Sequence, residues 1–243
     1  MFFSEAAWAT DELRDFAQGV GNFLDREIIP YREEFEKAGA LSKEVWRQAG
    51  DNGLLGVCVP EEYGGLGATL AYESVLLAEM GLRNEMGFGY YVHSVVVHYI
   101  LAYGTSEQKA RWLPRLSSGE LIGAICMSEP GAGSDLQAIK TRAELDGDGY
   151  CVNGSKTFIS NGQIANFLLV VAKTDKSLGA KGISLIVIET DDVEGFRRGK
   201  NLEKLGLKSQ DTSELLFDDV RVPTANGGGE HPGAGFGKYL VNN

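Results

Sequence analysis

The run Gly119-Glu120-Leu121-Ile122-Gly123-Ala124-Ile125-Cys126-Met127-Ser128-Glu129-Pro130-Gly131-Ala132-Gly133-Ser134-Asp135 is where the chain changes texture. Before it, apolar residues recur every three or four positions; after it, they gather in short β-rich runs separated by Gly, Asp and Asn. Its second half, from Cys126, reads as a turn. Pro130 fixes the entry, Gly131 and Gly133 can take positive φ and let the main chain approach a ligand, and Ser128 and Ser134 bring hydroxyls to the two ends. Such a turn suits an electron-rich, phosphate-bearing ligand, yet the same residues make up any ordinary surface turn. The rest of the chain has to decide.

On the N-terminal side, Leu13, Phe16, Ala17, Val20, Phe23 and Leu24 describe one helical face within a helix expected over Thr10 to Glu36, with Thr10 as N-cap. A second helix is expected from Ser42 through Val45, Trp46 and Ala49 to Gly50 and Gly53, and others over Tyr72 to Met80 and Tyr91 to Tyr103. Thr105 and Gln108 resemble a capping box opening a short helix that Pro114 ends. On the C-terminal side, strands are expected at Leu121 to Met127, Thr141 to Leu145, Tyr150 to Val152, Lys156 to Ile159, Phe167 to Ala172, Ile183 to Glu189 and Ser213 to Phe217. Asp146-Gly147-Asp148-Gly149 is a hairpin signal. The fold class is therefore α+β and multi-domain. An all-α domain over 1–120 precedes a mainly antiparallel β-barrel over 121–232. After the flexible exit Asn226-Gly227-Gly228-Gly229, a helix restarts near Gly235 to Leu240 in a segment spanning 233–243.

With 243 residues, 43% hydrophobic and 23% charged, the chain can bury a core in one or two domains. Its 34 acidic and 23 basic residues give a net charge of −11, which disfavours sequence-independent binding to nucleic acid or an anionic membrane. A phosphate site must then be local. Cys58, Cys126 and Cys151 form no CxxC pair and no ligand spacing with the histidines, which argues against structural zinc or a disulfide framework and for a reducing compartment. Met1 to Ala9 has neither a basic n-region nor a long apolar run. No segment reaches membrane-spanning length, and Tyr90 to Tyr103, interrupted by His93 and His98, reads as a buried helix.

A dinucleotide-binding Rossmann turn needs a third glycine at 136 and a helix after it. Position 136 is Leu and a β-hairpin follows, so that reading is rejected, and no GxxxxGK[ST] sequence occurs. The second telling segment is Lys156-Thr157-Phe158-Ile159-Ser160-Asn161-Gly162, where a strand end presents an aromatic ring and a hydroxyl before a turn. Ring and hydroxyl together suit a flat heteroaromatic cofactor.

Five collinear segments carry a family resemblance: Cys126 to Asp135 and Lys156 to Gly162 as quoted, Pro60-Glu61-Glu62-Tyr63-Gly64-Gly65-Leu66-Gly67, Tyr103-Gly104-Thr105-Ser106-Glu107-Gln108-Lys109, and Leu205-Gly206-Leu207-Lys208-Ser209-Gln210-Asp211-Thr212 before Phe217-Asp218-Asp219-Val220-Arg221-Val222-Pro223. Together they resemble the acyl-CoA dehydrogenase family of flavoproteins. Asn153-Gly154-Ser155-Lys156 and Lys208 to Thr212 look most like its long-chain branch. The resemblance implies FAD on the face of the middle domain, an acyl-CoA substrate, an electron-transfer flavoprotein as acceptor, and a homotetramer in the cytoplasm or the mitochondrial matrix. It implies that the run Ile125 to Ser134, including Met127 and Gly133, holds flavin, with the Ser128 hydroxyl and nearby N–H groups stabilising charge on the reduced ring. Ile125 stands where an aromatic residue is often found. By the same resemblance Phe158, Ile159 and Ser160 back the ring, Ser134 contacts CoA, and Ala180 and Lys181 touch substrate, Lys181 offering a cation to a phosphate.

Dehydrogenation at Cα and Cβ needs a carboxylate to take the α proton. In the family this is a glutamate of a C-terminal four-helix domain, and no residue here matches it; the chain is expected to be an N-terminal part, inactive alone. A non-catalytic flavin- or CoA-binding subunit and an oxygen-using acyl-CoA oxidase are the alternatives. Glu129 reads as a carboxylate bonded to local N–H groups and not as a base. Glu61 and Glu62 read as solvated loop. His93 and His98, five apart, cannot form an i, i+4 metal pair and are expected to pack, as are Trp8, Trp46 and Trp112.

Overall fold

The structure, a computed structural model, describes residues 8–227. The helix expected near Gly235 to Leu240 and the segment 233–243 lie outside the described residues, as does the end of the glycine-rich exit.

Helix α1 (Asp11–Glu27) opens on Thr10, whose hydroxyl accepts the Leu13 N–H at 3.3 Å, and it buries Leu13, Ala17, Val20, Phe23 and Leu24. The single helix expected to Glu36 is broken. Pro30, with no N–H to bond backwards, lies in a 3-10 turn over Ile29–Tyr31, and α2 (Arg32–Ala38) restarts beyond it. Ser42 caps α3 (Lys43–Asp51), and α4 (Leu70–Leu82) and α5 (Tyr90–Tyr103) follow. In α6 (Ser106–Ser117) both capping-box bonds form: Thr105 Oγ1 accepts the Gln108 N–H, and Gln108 Oε1 accepts the Thr105 N–H. Pro114 does not end this helix. The flanking Leu113 and Leu116 are fully buried, and that burial outweighs the one backbone bond the proline removes.

Seven strands follow: β1 (Gly123–Cys126), β2 (Arg142–Asp146), β3 (Gly149–Ser160), β4 (Phe167–Lys173), β5 (Ile183–Glu189), β6 (Phe196–Asn201) and β7 (Thr212–Pro223). They form one sheet in the order β1-β4-β2-β3-β7-β6, with β5 also on β4. β1 and β2 meet β4 in parallel and the other pairs are antiparallel, so the sheet is mixed though mainly antiparallel. Among the described residues β1 and β6 do not pair with each other, which makes this a half-barrel and not a closed one. Two of the expected strands, at 150–152 and 156–159, are parts of the one strand β3, whose register against β7 slips between Val152 and Gly154 and again between Lys156 and Ile159. At the first slip Gly154 has φ 151°, and a Cβ there would stand 2.4 Å from Thr141 Oγ1, so only glycine fits.

Helices and sheet share a core. Trp46, Phe88 and Tyr90 belong to the same buried cluster as Val152, Leu168 and Phe217. His93 on α5 is fully buried, and its Nδ1 accepts the Gly123 N–H at 3.0 Å, tying the helical part to the start of β1. Burial pushes the ring's pKa down to about 4, in keeping with a neutral acceptor. Trp46 and Trp112 pack as expected; Trp8 is 46% exposed.

Candidate functional site

The fold brings the two telling segments together. Thr157 N–H donates to Ser128 O at 2.9 Å, and Lys156 Nζ donates to Met127 O at 3.0 Å and to Glu129 Oε1 at 2.9 Å. The strand that ends at Cys126 thus passes into a turn bolted to the irregular end of β3.

That turn closes on itself: Glu129 and Ala132 exchange N–H···O bonds of 2.9 and 3.1 Å around an exposed Pro130 and Gly131. Neither Gly131 nor Gly133 takes a positive φ, contrary to the sequence expectation, because this closure needs no left-handed residue. Their use is different. A Cβ on either would meet no atom within 4 Å, so internal packing does not demand glycine there, and the main chain lies bare to an incoming group. Ser128 is half-buried and Ser134 exposed, and neither hydroxyl bonds to a described residue. Ile125 and Met127 are half-buried and pack on the second core cluster.

Across from the turn, Phe158 has φ 58° and is 68% exposed, at the second register slip of β3. A large apolar ring held outward by a left-handed backbone is a costly arrangement of the sort found at ligand sites. Ile159 faces the core at 2% exposure, so its side chain supports the wall from beneath, and Ser160 is half-buried at the rim. Ser134 leads through Asp135, whose carboxylate accepts the Gln137 N–H, into the 3-10 turn Leu136–Ala138. The 3-10 segment Lys176–Gly182, which carries half-buried Ala180 and exposed Lys181, packs on that turn. The turn that follows Ser134 and the segment that carries Ala180 and Lys181 are therefore neighbours.

Glu129 is fully engaged. Besides Lys156 it accepts the N–H groups of Lys140 at 2.6 Å and Thr141 at 3.0 Å. Burial works against its charge, but these donors outweigh burial and hold its pKa below the ordinary carboxylate value. Sequence reasoning reached that local role and missed its partner, because Lys156 joins Glu129 only through the fold. It also missed Asp211, 2% exposed, whose carboxylate accepts the Gln163 N–H at 2.7 Å and whose carbonyl accepts the Asn161 N–H. Burial raises the Asp211 pKa to about 6 in spite of Lys204 and Arg198 nearby, and its bonds pin the turn that follows Ser160. Its place in the run Lys208 to Thr212 was the available signal.

A groove of roughly 1060 Å³ lies elsewhere, between β2 and the 192–195 turn. Its charged lining is Glu144, Asp146, Asp192, Glu194, Asp218 and Asp219 against the single cation Arg221, so its net negative charge disfavours phosphates. Among the described residues no helix is long and apolar enough to cross a membrane.

Comparison with known proteins identifies the family and the fold. The acyl-CoA dehydrogenase N-terminal domain matches residues 10–120, and the acyl-CoA dehydrogenase middle domain matches residues 124–220. The long-chain specific acyl-CoA dehydrogenase of Rattus norvegicus is 46% identical over 213 residues, covering 86% of this chain and 49% of that protein. The crystal structure of an acyl-CoA dehydrogenase from Geobacillus kaustophilus superimposes with a TM-score of 0.91 at 45% identity, over 97% of this chain and 62% of that one. A glutaryl-CoA dehydrogenase from Mycobacterium smegmatis in complex with FADH2 gives 0.83 at 32% identity, over 93% and 57%. The chain spans about half the length of the rat relative. It belongs to the acyl-CoA dehydrogenase family, of which it carries the N-terminal and middle domains.

Proposed function

We propose that the 127–134 turn and the 157–160 end of β3 form one wall of an FAD site, and that acyl-CoA lies along a rim formed by Ser134, Ala180 and Lys181. The observation that carries this reading is the juxtaposition of a bare glycine backbone and an unbonded Ser128 hydroxyl with the outward ring of Phe158, fixed by the Thr157 and Lys156 bonds. A flat ring system fits against Phe158, hydroxyl and N–H donors meet its polar edge, and Lys181 faces anionic groups at the rim. FAD, when bound, supplies a two-electron acceptor for oxidation of an acyl chain between Cα and Cβ. The residues of this chain bind and orient. Glu129 is held by three donors and Asp211 is buried beneath the wall, so the reading places the proton-accepting carboxylate outside residues 8–227.

The same reading takes 1–120 as helical domain, 121–232 as the cofactor-binding half-barrel and 233–243 as the start of a further helical domain. A long-chain acyl-CoA is its substrate, an electron-transfer flavoprotein its acceptor and a homo-oligomer its assembled form. The relative in complex with FADH2 and the long-chain relative support it.

In protein reconstituted with FAD, Ser128→Ala should weaken flavin binding about tenfold, the worth of one hydrogen bond to a charged group, and shift the flavin reduction potential. The melting temperature without FAD should stay unchanged, since the Ser128 hydroxyl bonds no described residue and the backbone bond from Thr157 to its carbonyl is kept. Unaltered affinity and reduction rate would remove Ser128 from the site.

A further inference from the structure

A second cluster of chemically active side chains lies in the helical part, away from the turn and bulge just described. Cys58, Glu73 and His98 come from three segments: the loop after α3, the first turn of α4 and the second half of α5. The Cys58 thiol, a Glu73 carboxylate oxygen and a His98 ring nitrogen all lie within 4.8 Å of one another. His98 Nε2 is 3.0 Å from Glu73 Oε2. We propose that these three residues form a binding site for a divalent cation of the zinc type.

Several features argue for a cation over an ion pair with a neighbouring thiol. Thiolate, imidazole and carboxylate are the donor set that zinc accepts, and three protein ligands leave the fourth tetrahedral position to water. Tetrahedral ligands at bond lengths of about 2.0–2.3 Å stand roughly 3.3–3.8 Å apart, so side-chain rotations suffice to close the set. Bound as thiolate, carboxylate and neutral imidazole, the ligands and a dication sum to zero charge, which suits a partly buried place. Calcium and magnesium fit poorly, since both require several more oxygen ligands.

The surroundings are built for it. Ser94, one turn before His98, donates to both oxygens of Glu73 at 3.1 Å and orients the carboxylate from behind. Both Glu73 and Ser94 are buried, at 8% and 7% exposure. The backbone beside Cys58 is pinned, with Ala68 N–H donating to Val57 O at 2.9 Å and Gly67 N–H to Val59 O at 2.8 Å. The His98 side chain is 38% exposed and Cys58 half-buried, which leaves an entry path. On binding, a metal–sulfur bond replaces the S–H bond and the proton passes to solvent. The cation would clamp the loop carrying Gly64, Gly65 and Gly67 to α4 and α5.

Cobalt(II), a spectroscopic stand-in for zinc, tests the site in reduced protein without an affinity tag. We expect one cobalt per chain, with tetrahedral visible bands and a thiolate-to-metal charge-transfer band. Cys58→Ser should abolish the charge-transfer band, His98→Gln should weaken cobalt binding at least tenfold, and Cys151→Ser should change neither. Each variant is checked for an unchanged melting temperature without metal, so that loss of the fold is not mistaken for loss of a ligand. Absence of the charge-transfer band in well-folded protein, or its survival in Cys58→Ser, would overturn the proposal.

Discussion

Glu129→Ala is expected to destabilise the protein by about 3–5 kcal/mol, the usual cost of breaking a buried ion pair by removing one partner. The Lys156 side chain has no exposure and Glu129 only 6%, so the ammonium left behind has no route to water. The same substitution orphans the N–H groups of Lys140 and Thr141, which now end on the carboxylate. Lys156→Met should cost less, because Glu129 keeps those two donors. The double variant Glu129→Gln with Lys156→Met should recover much of the loss. Urea midpoints measure all three, and a loss under about 1 kcal/mol for Glu129→Ala would show that the pair is not what holds the turn. The Glu129 pKa lies below the unfolded value of 4.5, so its contribution is complete above about pH 4.5 and fades as the pH falls beneath that.

Trp46→Ala should cost a comparable 3–5 kcal/mol through the cavity it leaves. Trp46 is 1% exposed, with Phe88 at 4.7 Å and His93 at 5.5 Å between ring centroids. The consequence should reach further than the helices. His93 accepts the Gly123 N–H at the start of β1, and β1 runs directly into the Cys126 to Asp135 turn. Amide exchange over 123–127 should therefore speed up in the variant along with the drop in stability. Slow exchange there in a protein already destabilised would separate the helical core from the site.

Much of this architecture was legible in the residues. The capping box of Thr105 and Gln108 is a local signal, and both of its bonds form. The nearly continuous apolar runs of β4 and β5 are local too, since burial of both strands leaves Ser184 as the one polar residue between their ends. What escaped depends on partners distant in sequence. β6, Phe-Arg-Arg-Gly-Lys-Asn, has no strand pattern of its own and is a strand because β7 pairs with it. The break at Pro30 was hidden by an apolar spacing that continues across it. At the site, the turn and the aromatic strand end could be read as separate segments. That Lys156 reaches Glu129 and Met127, and that His98 meets Glu73 and Cys58, follows only from tertiary packing.

The most direct test of the account is the hydrogen-exchange footprint of FAD on this protein, recorded at a flavin concentration where absorbance shows it bound. Protection is predicted at 127–134 and 157–162, with little change across the acidic groove near 144–146 and 192–195. Bound flavin that leaves 127–134 unprotected, or that protects the acidic groove instead, would contradict it.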